Sequence, residues 1–391
     1  MIILKVTNVK LGIDIRHLSR GYSGGIAEYT INLLDALVRN FPEETFKLFS
    51  SGRYPPDIAN KWLMHKNISL HHLALPNRFL DPTSRLLAIP SVDKFIGGVD
   101  VFLSPHFLLT ALSDKCRRVM IIHDLSFVRY PEFFSVRDRL WHWLMSPKTQ
   151  VKLADVVVSV SDSTKRDLIS IWRIDRNKIH TVYPGIAQFA EHTSINYARL
   201  VADRYNLPDN FILALSVIEP RKNYVSLIRA FEVFKTAHPD TSKDLGLVIA
   251  GPLSKRSDEV SRAVKSSLFS KAIFLPGFID EKDKAAIYRL AKVFVYPSVF
   301  EGFGFPPLEA MAAGIPVIVS ARASLPEIVA NAALCVDPYD ISALASAIMT
   351  MLEDTEARDF LVNAGLNRAA SFSWDQAAQR IYHLCSQAAA S

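Results

Sequence analysis

The sequence predicts a double α/β architecture, two parallel sheets each covered by helices. Three observations carry this reading. Short, nearly continuous apolar runs rich in β-branched residues alternate with longer stretches of helical periodicity along the chain. The alternation lapses once, around residues 184–198, and then resumes. A length of 391 residues suits two domains better than one. Hydrophobic residues at 49% against charged residues at 21% give a globular balance, which excludes a disordered or collagen-like chain.

The elements follow in order. A strand at 11–15 precedes a helical pattern from Gly25 to about Asn40, and runs at 46–50, 68–73, 100–104, 118–123, 155–160 and 178–183 read as further strands. Ser161, Asp162 and Ser163 supply helix N-cap chemistry, since a short oxygen-bearing side chain accepts from exposed helix-start amides. Beyond the lapse, strands are expected at 211–215, 245–250, 272–275, 293–296, 316–319 and 333–336. Val225, Ile228, Phe231 and Phe234 mark a helix after the first of these, and a last helix begins at Ser373. The expected domains are 1–190 and 191–371, with a terminal helix over 372–391.

No apolar run approaches the roughly 18 residues that span a bilayer. Lys5 and Lys10 fall too early for a signal-peptide core, so the expected location is cytoplasmic. Cys116, Cys335 and Cys385 are scattered and odd in number, which suggests neither a disulfide framework nor a zinc site. The net charge of +6 is unevenly placed: residues 1–190 hold 25 Lys and Arg against 17 Asp and Glu, while 191–391 hold 20 against 22. A basic first half implies an anionic partner, whether nucleic acid, anionic lipid or a phosphate-bearing substrate; ordinary solubility explains it equally well. No recognition-helix, RNA-recognition or zinc motif accompanies the charge, which argues against nucleic acid.

Ligands of open parallel sheets bind outside the carboxyl ends of strands, and four polar segments fall at such ends. Ser23, Gly24 and Gly25 precede the first helix, where glycine lets backbone approach a ligand and free amides face it; a plain turn explains the pair as well. His123 and Asp124 close the strand at 118–123, and the histidine reads either as a donor to a sugar hydroxyl or phosphate or as a structural residue bonded to backbone. Arg221 and Lys222 lie in the turn after the strand at 211–215, a planar donor fork beside a compact charge, suited to a diphosphate. Glu301, Gly302, Phe303, Gly304 and Phe305 lead into a short helix expected to begin near Pro306, with Glu309 in its first turn and Gly314 past its end. Glycine-loop amides there can turn toward phosphate, and the two carboxylates can accept from sugar hydroxyls.

Taken together, the segments GYSGGIAEYTINLLDAL, IIHDLSF, IEPRKN and EGFGFPPLEAMAAGIPVI, with FSWDQAAQRI near the end, resemble the retaining glycosyltransferases of family 4 over nearly the whole chain. The resemblance implies a GT-B fold, two Rossmann-like domains with parallel sheets facing across a cleft. Its first domain would bind acceptor, its second would bind nucleotide-sugar, and its last helix would cross back to the first. Arg221 and Lys222 would hold the donor diphosphate. Glu301 would meet the donor sugar's hydroxyls beside the amides of Phe303, Gly304 and Phe305, and Glu309 would accept from the ribose. His123 would sit by the donor sugar, Gly24 and Gly25 would border phosphate and acceptor, and Gly277 and Phe278 would occupy the base-reading place. Where many members carry a Gly-Arg pair before the motif lysine, this chain has Leu215 and Ser216, which leaves the phosphate to Arg221 and Lys222.

The implied activity is a retaining transfer of a hexose, mannose from GDP-mannose, to a glycan or lipid-linked acceptor in lipopolysaccharide or other cell-surface polysaccharide synthesis. It would proceed by front-face attack, with no cofactor. The chain has no Asp-x-Asp metal clamp, so no metal is expected. The alternatives are a UDP-sugar-dependent glucosyl or N-acetylglucosaminyl transferase, and a catalytically silent nucleotide-sugar-binding subunit. The basic first half suits peripheral contact with the inner face of a membrane. The stretch 127–152, with Trp141, Trp143, Arg137 and Arg139, reads either as that contact or as a buried helix face.

Overall fold

The computed structural model describes residues 9–20, 24–76, 80, 89–186, 194–254 and 256–391. Ser23, and residues 187–193 of the stretch where periodicity lapses, lie outside the described residues. The chain divides into two compact units, one of Met1–Gly185 with Ser373–Ser391 and one of Ile186–Phe372.

The first unit holds seven strands: β1 (Lys10–Asp14), β2 (Thr45–Ser51), β3 (Ile68–Leu73), β4 (Val101–Ser104), β5 (Arg117–Ile122), β6 (Val156–Ser159) and β7 (Ile179–Thr181). They form one parallel sheet in the order β3-β2-β1-β4-β5-β6-β7. Registers such as Ile13 with Leu48 and Ile121 with Val158 stack β-branched and leucine side chains across neighbours. Helix α1 (Gly25–Asn40) buries Leu33, Leu34 and Leu37. Helix α2 (Val136–Met145) opens on a capping box between Ser135 and Asp138, and α3 (Asp162–Ser170) opens on Ser161, whose hydroxyl accepts from the Thr164 amide at 3.0 Å.

The second unit repeats the plan with β8 (Asn210–Leu215), β9 (Leu245–Ala250), β10 (Ile273–Phe274), β11 (Val293–Tyr296), β12 (Val317–Ser320) and β13 (Leu334–Val336). Their order is β10-β9-β8-β11-β12-β13, again all parallel. Helix α4 (Tyr224–Ala237) turns Leu227, Ile228, Phe231 and Phe234 onto a core shared with Leu247, Ile249, Val293 and Val295. Helices α5 (Glu281–Leu290) and α6 (Phe305–Ala312) carry residues of the site. In each sheet the order reverses once, between β1 and β4 and between β8 and β11, the position at which open α/β sheets bind ligands.

Helix α7 (Trp374–Ala390) belongs to the first unit although it ends the chain. Asp375 accepts from Arg39 and Asn40 at the end of α1, Trp374 meets Tyr29 edge-on at 5.1 Å, and Tyr382 stacks on Phe41 at 4.0 Å. Gly185 permits this docking, because a Cβ there would stand 2.1 Å from the Trp374 amide nitrogen. Among the described residues no helix is long and apolar enough to cross a membrane.

Candidate active site

In the second unit the reversal point receives chain from the carboxyl ends of β8 and β11. After β8 a 3-10 stretch, Pro220–Lys222, ends at Asn223, whose φ of 55° redirects the chain into α4. Beyond β11, the Val299 amide donates to the Arg221 carbonyl at 2.9 Å and ties the two segments together.

Four donors converge on Glu301. Its Oε1 accepts from Lys222 Nζ at 2.6 Å, Ser298 Oγ at 2.6 Å and the Tyr296 hydroxyl at 3.0 Å. Its Oε2 faces Arg221 Nη1 at 2.8 Å. Lys222 also donates to the Tyr296 hydroxyl at 2.6 Å. Nε and Nη2 of Arg221 donate to Glu219 Oε1, at 3.1 and 2.7 Å, and Nη1 also donates to the Phe300 carbonyl at 2.6 Å. Burial works to raise the Glu301 carboxyl, yet Arg221, Lys222 and the hydrogen bonds hold it down to about 2. Burial lowers Lys222, helped by Arg221 and opposed by Glu301 and Glu219. The basic turn is therefore no solvated charge run, since two cations and two carboxylates neutralise one another at the strand ends.

The glycine loop is pinned from behind. Ser324 Oγ shares its proton between the carbonyls of Glu301 and Phe303, at 2.9 and 2.7 Å. Gly304 has φ 120°, and a Cβ there would meet Leu325 at 2.7 Å. Among the described residues, the amides of Phe303 and Gly304 have no acceptor, so α6 begins with bare donors. Phe303 and Phe305 meet edge-on at 5.0 Å.

One expectation needs correcting. Helix α6 starts at Phe305, one residue before the expected Pro306, so Glu309 lies in its second turn rather than its first. Pro306 and Pro307 both fit inside that first turn, where amides have no intrahelical acceptor. Glu309 is accordingly held by a neighbouring helix, its Oε2 accepting from the Tyr288 hydroxyl of α5 at 2.8 Å. Burial pushes its carboxyl up, against Lys284 and the Tyr288 bond, with Glu281 adding to the rise. Gly277, at φ 81°, and the exposed Phe278 follow β10, and the Gly277 carbonyl accepts from the Gly251 amide at 2.8 Å.

In the first unit, Gly24 caps α1 with φ 99° and Gly25 starts it; both are exposed. His123 follows β5. Its Nε2 donates to the Pro105 carbonyl at 2.8 Å, the backbone bond of the structural alternative, which assigns Nδ1 to any other partner. Burial lowers its pKa against Pro105 and Asp124, which favours the neutral ring. Asp124 orients the loop and not the imidazole, accepting from the Ser126 amide and hydroxyl at 2.8 and 2.6 Å.

Several neighbours escape a reading by motif. His17 follows β1 and His106 follows β4, both buried and driven neutral mainly by desolvation, His17 to about 4. Their rings lie 6.1 Å apart at the reversal point, and Tyr29 meets His123 edge-on at 4.8 Å. Tyr296 closes the apolar run 293–296 and Ser298 follows two residues later, and that position is their one signal. Nothing near Tyr288 or Ser324 in sequence announces either.

Residues 23–187 match Glycosyltransferase Family 4 and residues 202–368 match Glycosyl transferases group 1. The chain belongs to this glycosyltransferase family, and its two parallel-sheet units are those of the GT-B fold. It is 28% identical over 366 residues to O-antigen chain mannosyltransferase B of Escherichia coli, covering 90% of this chain and 93% of that one. Some relatives are longer, and the chain spans 46% of the serotype-specific mannosyltransferase WbdA of Escherichia coli, at 25% identity over 93% of its own length. Among solved structures it is similar to sucrose-phosphate synthase of Thermosynechococcus elongatus, with TM-score 0.75, 21% identity and coverage of 98% and 100%. It is also similar to Anabaena HepE in complex with UDP and glucose, with TM-score 0.72, 17% identity and coverage of 97% and 100%.

Proposed function

We propose that the chain transfers mannose from GDP-mannose, with retention and without a metal ion, to a glycan or lipid-linked acceptor in cell-surface polysaccharide synthesis. The observation that carries this is the Arg221–Lys222–Glu301 network at the reversal point of the second sheet. Breaking a sugar–phosphate bond builds negative charge on the diphosphate and oxocarbenium character on the sugar. Lys222 commits two of its three donors within the protein, and the third, with the amides of Phe303 and Gly304, is suited to the diphosphate. Glu301, with four donors and a pKa of about 2, is a poor nucleophile, which favours front-face attack. In that step the bond from the anomeric carbon to phosphate oxygen breaks and the bond to the acceptor oxygen forms. The acceptor's proton passes to the departing phosphate oxygen.

The mannosyltransferase relative supports mannose, whereas the UDP and glucose held by Anabaena HepE stand behind the UDP-sugar alternative. Purified protein given GDP-mannose, UDP-glucose or UDP-N-acetylglucosamine in turn, with a chelator present, should release GDP alone. NMR of the product should show a retained anomer. Release of UDP alone, an inverted product, or dependence on added metal would each contradict the corresponding part of the reading.

Membrane contact is assigned to α2. Val136, Leu140, Trp143 and Leu144 recur along one face and are 72%, 54%, 67% and 42% exposed, with Arg137 and Arg139 exposed between them. Trp141, by contrast, turns inward against Phe107 at 5.8 Å. An apolar face ringed by cations suits an anionic bilayer surface. Sedimentation with phosphatidylglycerol vesicles should carry the protein down, and Leu140→Ser with Trp143→Ser should cut the bound fraction severalfold. Unchanged binding would remove α2 from the contact.

A further inference from the structure

Away from the residues described above, the first unit contains a cavity of about 290 Å³ near the carboxyl ends of its last two strands. Three separate segments line it: Asp162 and Lys165 from the opening of α3, His180, Thr181 and Tyr183 from β7 and its exit, and Arg380 from α7. Helix α7 reaches this place only because it packs on the first unit, so distant parts of the chain supply the two cations.

The lining is unbalanced in charge. Lys165 and Arg380 make no side-chain hydrogen bond or ion pair with any described residue. Asp162 is the one carboxylate, and it is anchored by Thr181 Oγ1, which donates to it at 2.5 Å and also meets Ser159 Oγ at 3.2 Å. His180 lies under the influence of both cations: burial lowers its pKa most, and Lys165 and Arg380 lower it further.

The geometry points to a binding site for a phosphate group in this cavity, gripped by Lys165 and Arg380 with the His180 imidazole as a third donor. A guanidinium fork and a compact ammonium are the pair that matches phosphate oxygens, and parallel sheets take ligands at their carboxyl ends. The volume approaches the lower end of ligand pockets, about 300–1,000 Å³, and leaves room for the carrier of the phosphate. That carrier is either a soluble phosphate ester or a phospholipid headgroup. A bound phosphate favours the charged imidazole, so binding raises the His180 pKa.

The test reads His180 directly by NMR, with His180→Asn assigning its signal, so phosphate bound at Arg221 and Lys222 does not register. Inorganic phosphate should raise the His180 pKa where chloride at equal ionic strength does not. The Lys165→Ala, Arg380→Ala double variant, with its fold checked by circular dichroism, should weaken phosphate binding about tenfold or more, the scale of charged hydrogen bonds. A shift with glycerol 3-phosphate but not phosphatidylglycerol vesicles assigns a soluble ester, and the reverse assigns a headgroup. A His180 titration indifferent to phosphate, or a double variant that binds as tightly as the parent, overturns the proposal.

Discussion

Replacing Lys222 with Ala is expected to lower turnover of the nucleotide-sugar about 10² to 10³-fold, the scale on which removing one preorganised donor to developing charge acts. Lys222 sits at the carboxyl end of β8 in contact with Glu301 and Tyr296, which fixes the ammonium before any substrate arrives. The variant should still fold. Glu301 keeps Arg221, Ser298 and Tyr296, so the cost should be nearer about 1–3 kcal/mol for a lost charged bond than the about 3–5 kcal/mol of an orphaned buried charge. Acid titration checks the pairing independently. A carboxyl held at about 2 instead of its ordinary 4.5 contributes stability above the higher value, and loses it as pH falls through the lower. Without Lys222 the folded-state pKa rises toward the ordinary value, so in Lys222→Ala the acid loss should be smaller and should be complete at higher pH. Turnover within a few-fold of the parent would remove Lys222 from the phosphate site.

The architecture was legible because burial on both faces writes each parallel strand as a continuous apolar run. All thirteen runs read from sequence became strands, with ends moved by one or two residues where pairing stops, as at β7 and β10. The site was legible in its charged motif residues and silent in their supports. Lys222 and Glu301 stand 79 positions apart, and nothing local in either segment states that they pair. Ser324 and Tyr288 reach the site from elements whose periodicity records only their own packing. The helical turn of Glu309 was misplaced because prolines mark a helix opening without fixing its first residue. Trp141 and Trp143 are two positions apart on one helix, so one turns into the aromatic cluster and the other outward.

Glu309→Gln is expected to act in opposite directions on stability and on nucleotide affinity. The carboxyl is buried and meets one hydroxyl donor, Tyr288, and its pKa lies above its ordinary value. For a carboxyl raised in the folded state, the native contribution is fully present below the unfolded pKa and is lost as pH rises through the folded one. At neutral pH Glu309 therefore costs stability, and a neutral Gln that can still accept from Tyr288 should raise the thermal midpoint. If the carboxylate accepts from the ribose of the donor, as the family resemblance implies, the same change should weaken nucleotide binding by about 1–3 kcal/mol. Affinity in the parent should then fall as pH drops through the raised pKa, while the Gln variant should show no such step. Tyr288→Phe removes the donor that opposes the rise, so it should move the parent's step to higher pH. Calorimetric titration of nucleotide across pH, with thermal unfolding on the same samples, measures both effects. A variant less stable than the parent, or one that binds nucleotide with the parent's affinity and pH dependence, would show that Glu309 is an ordinary packing residue of α6. The expected pairing is that of a residue retained for its ligand at a cost to the fold, since the Tyr288 hydroxyl and the Lys284 charge together leave the buried carboxyl's pKa raised.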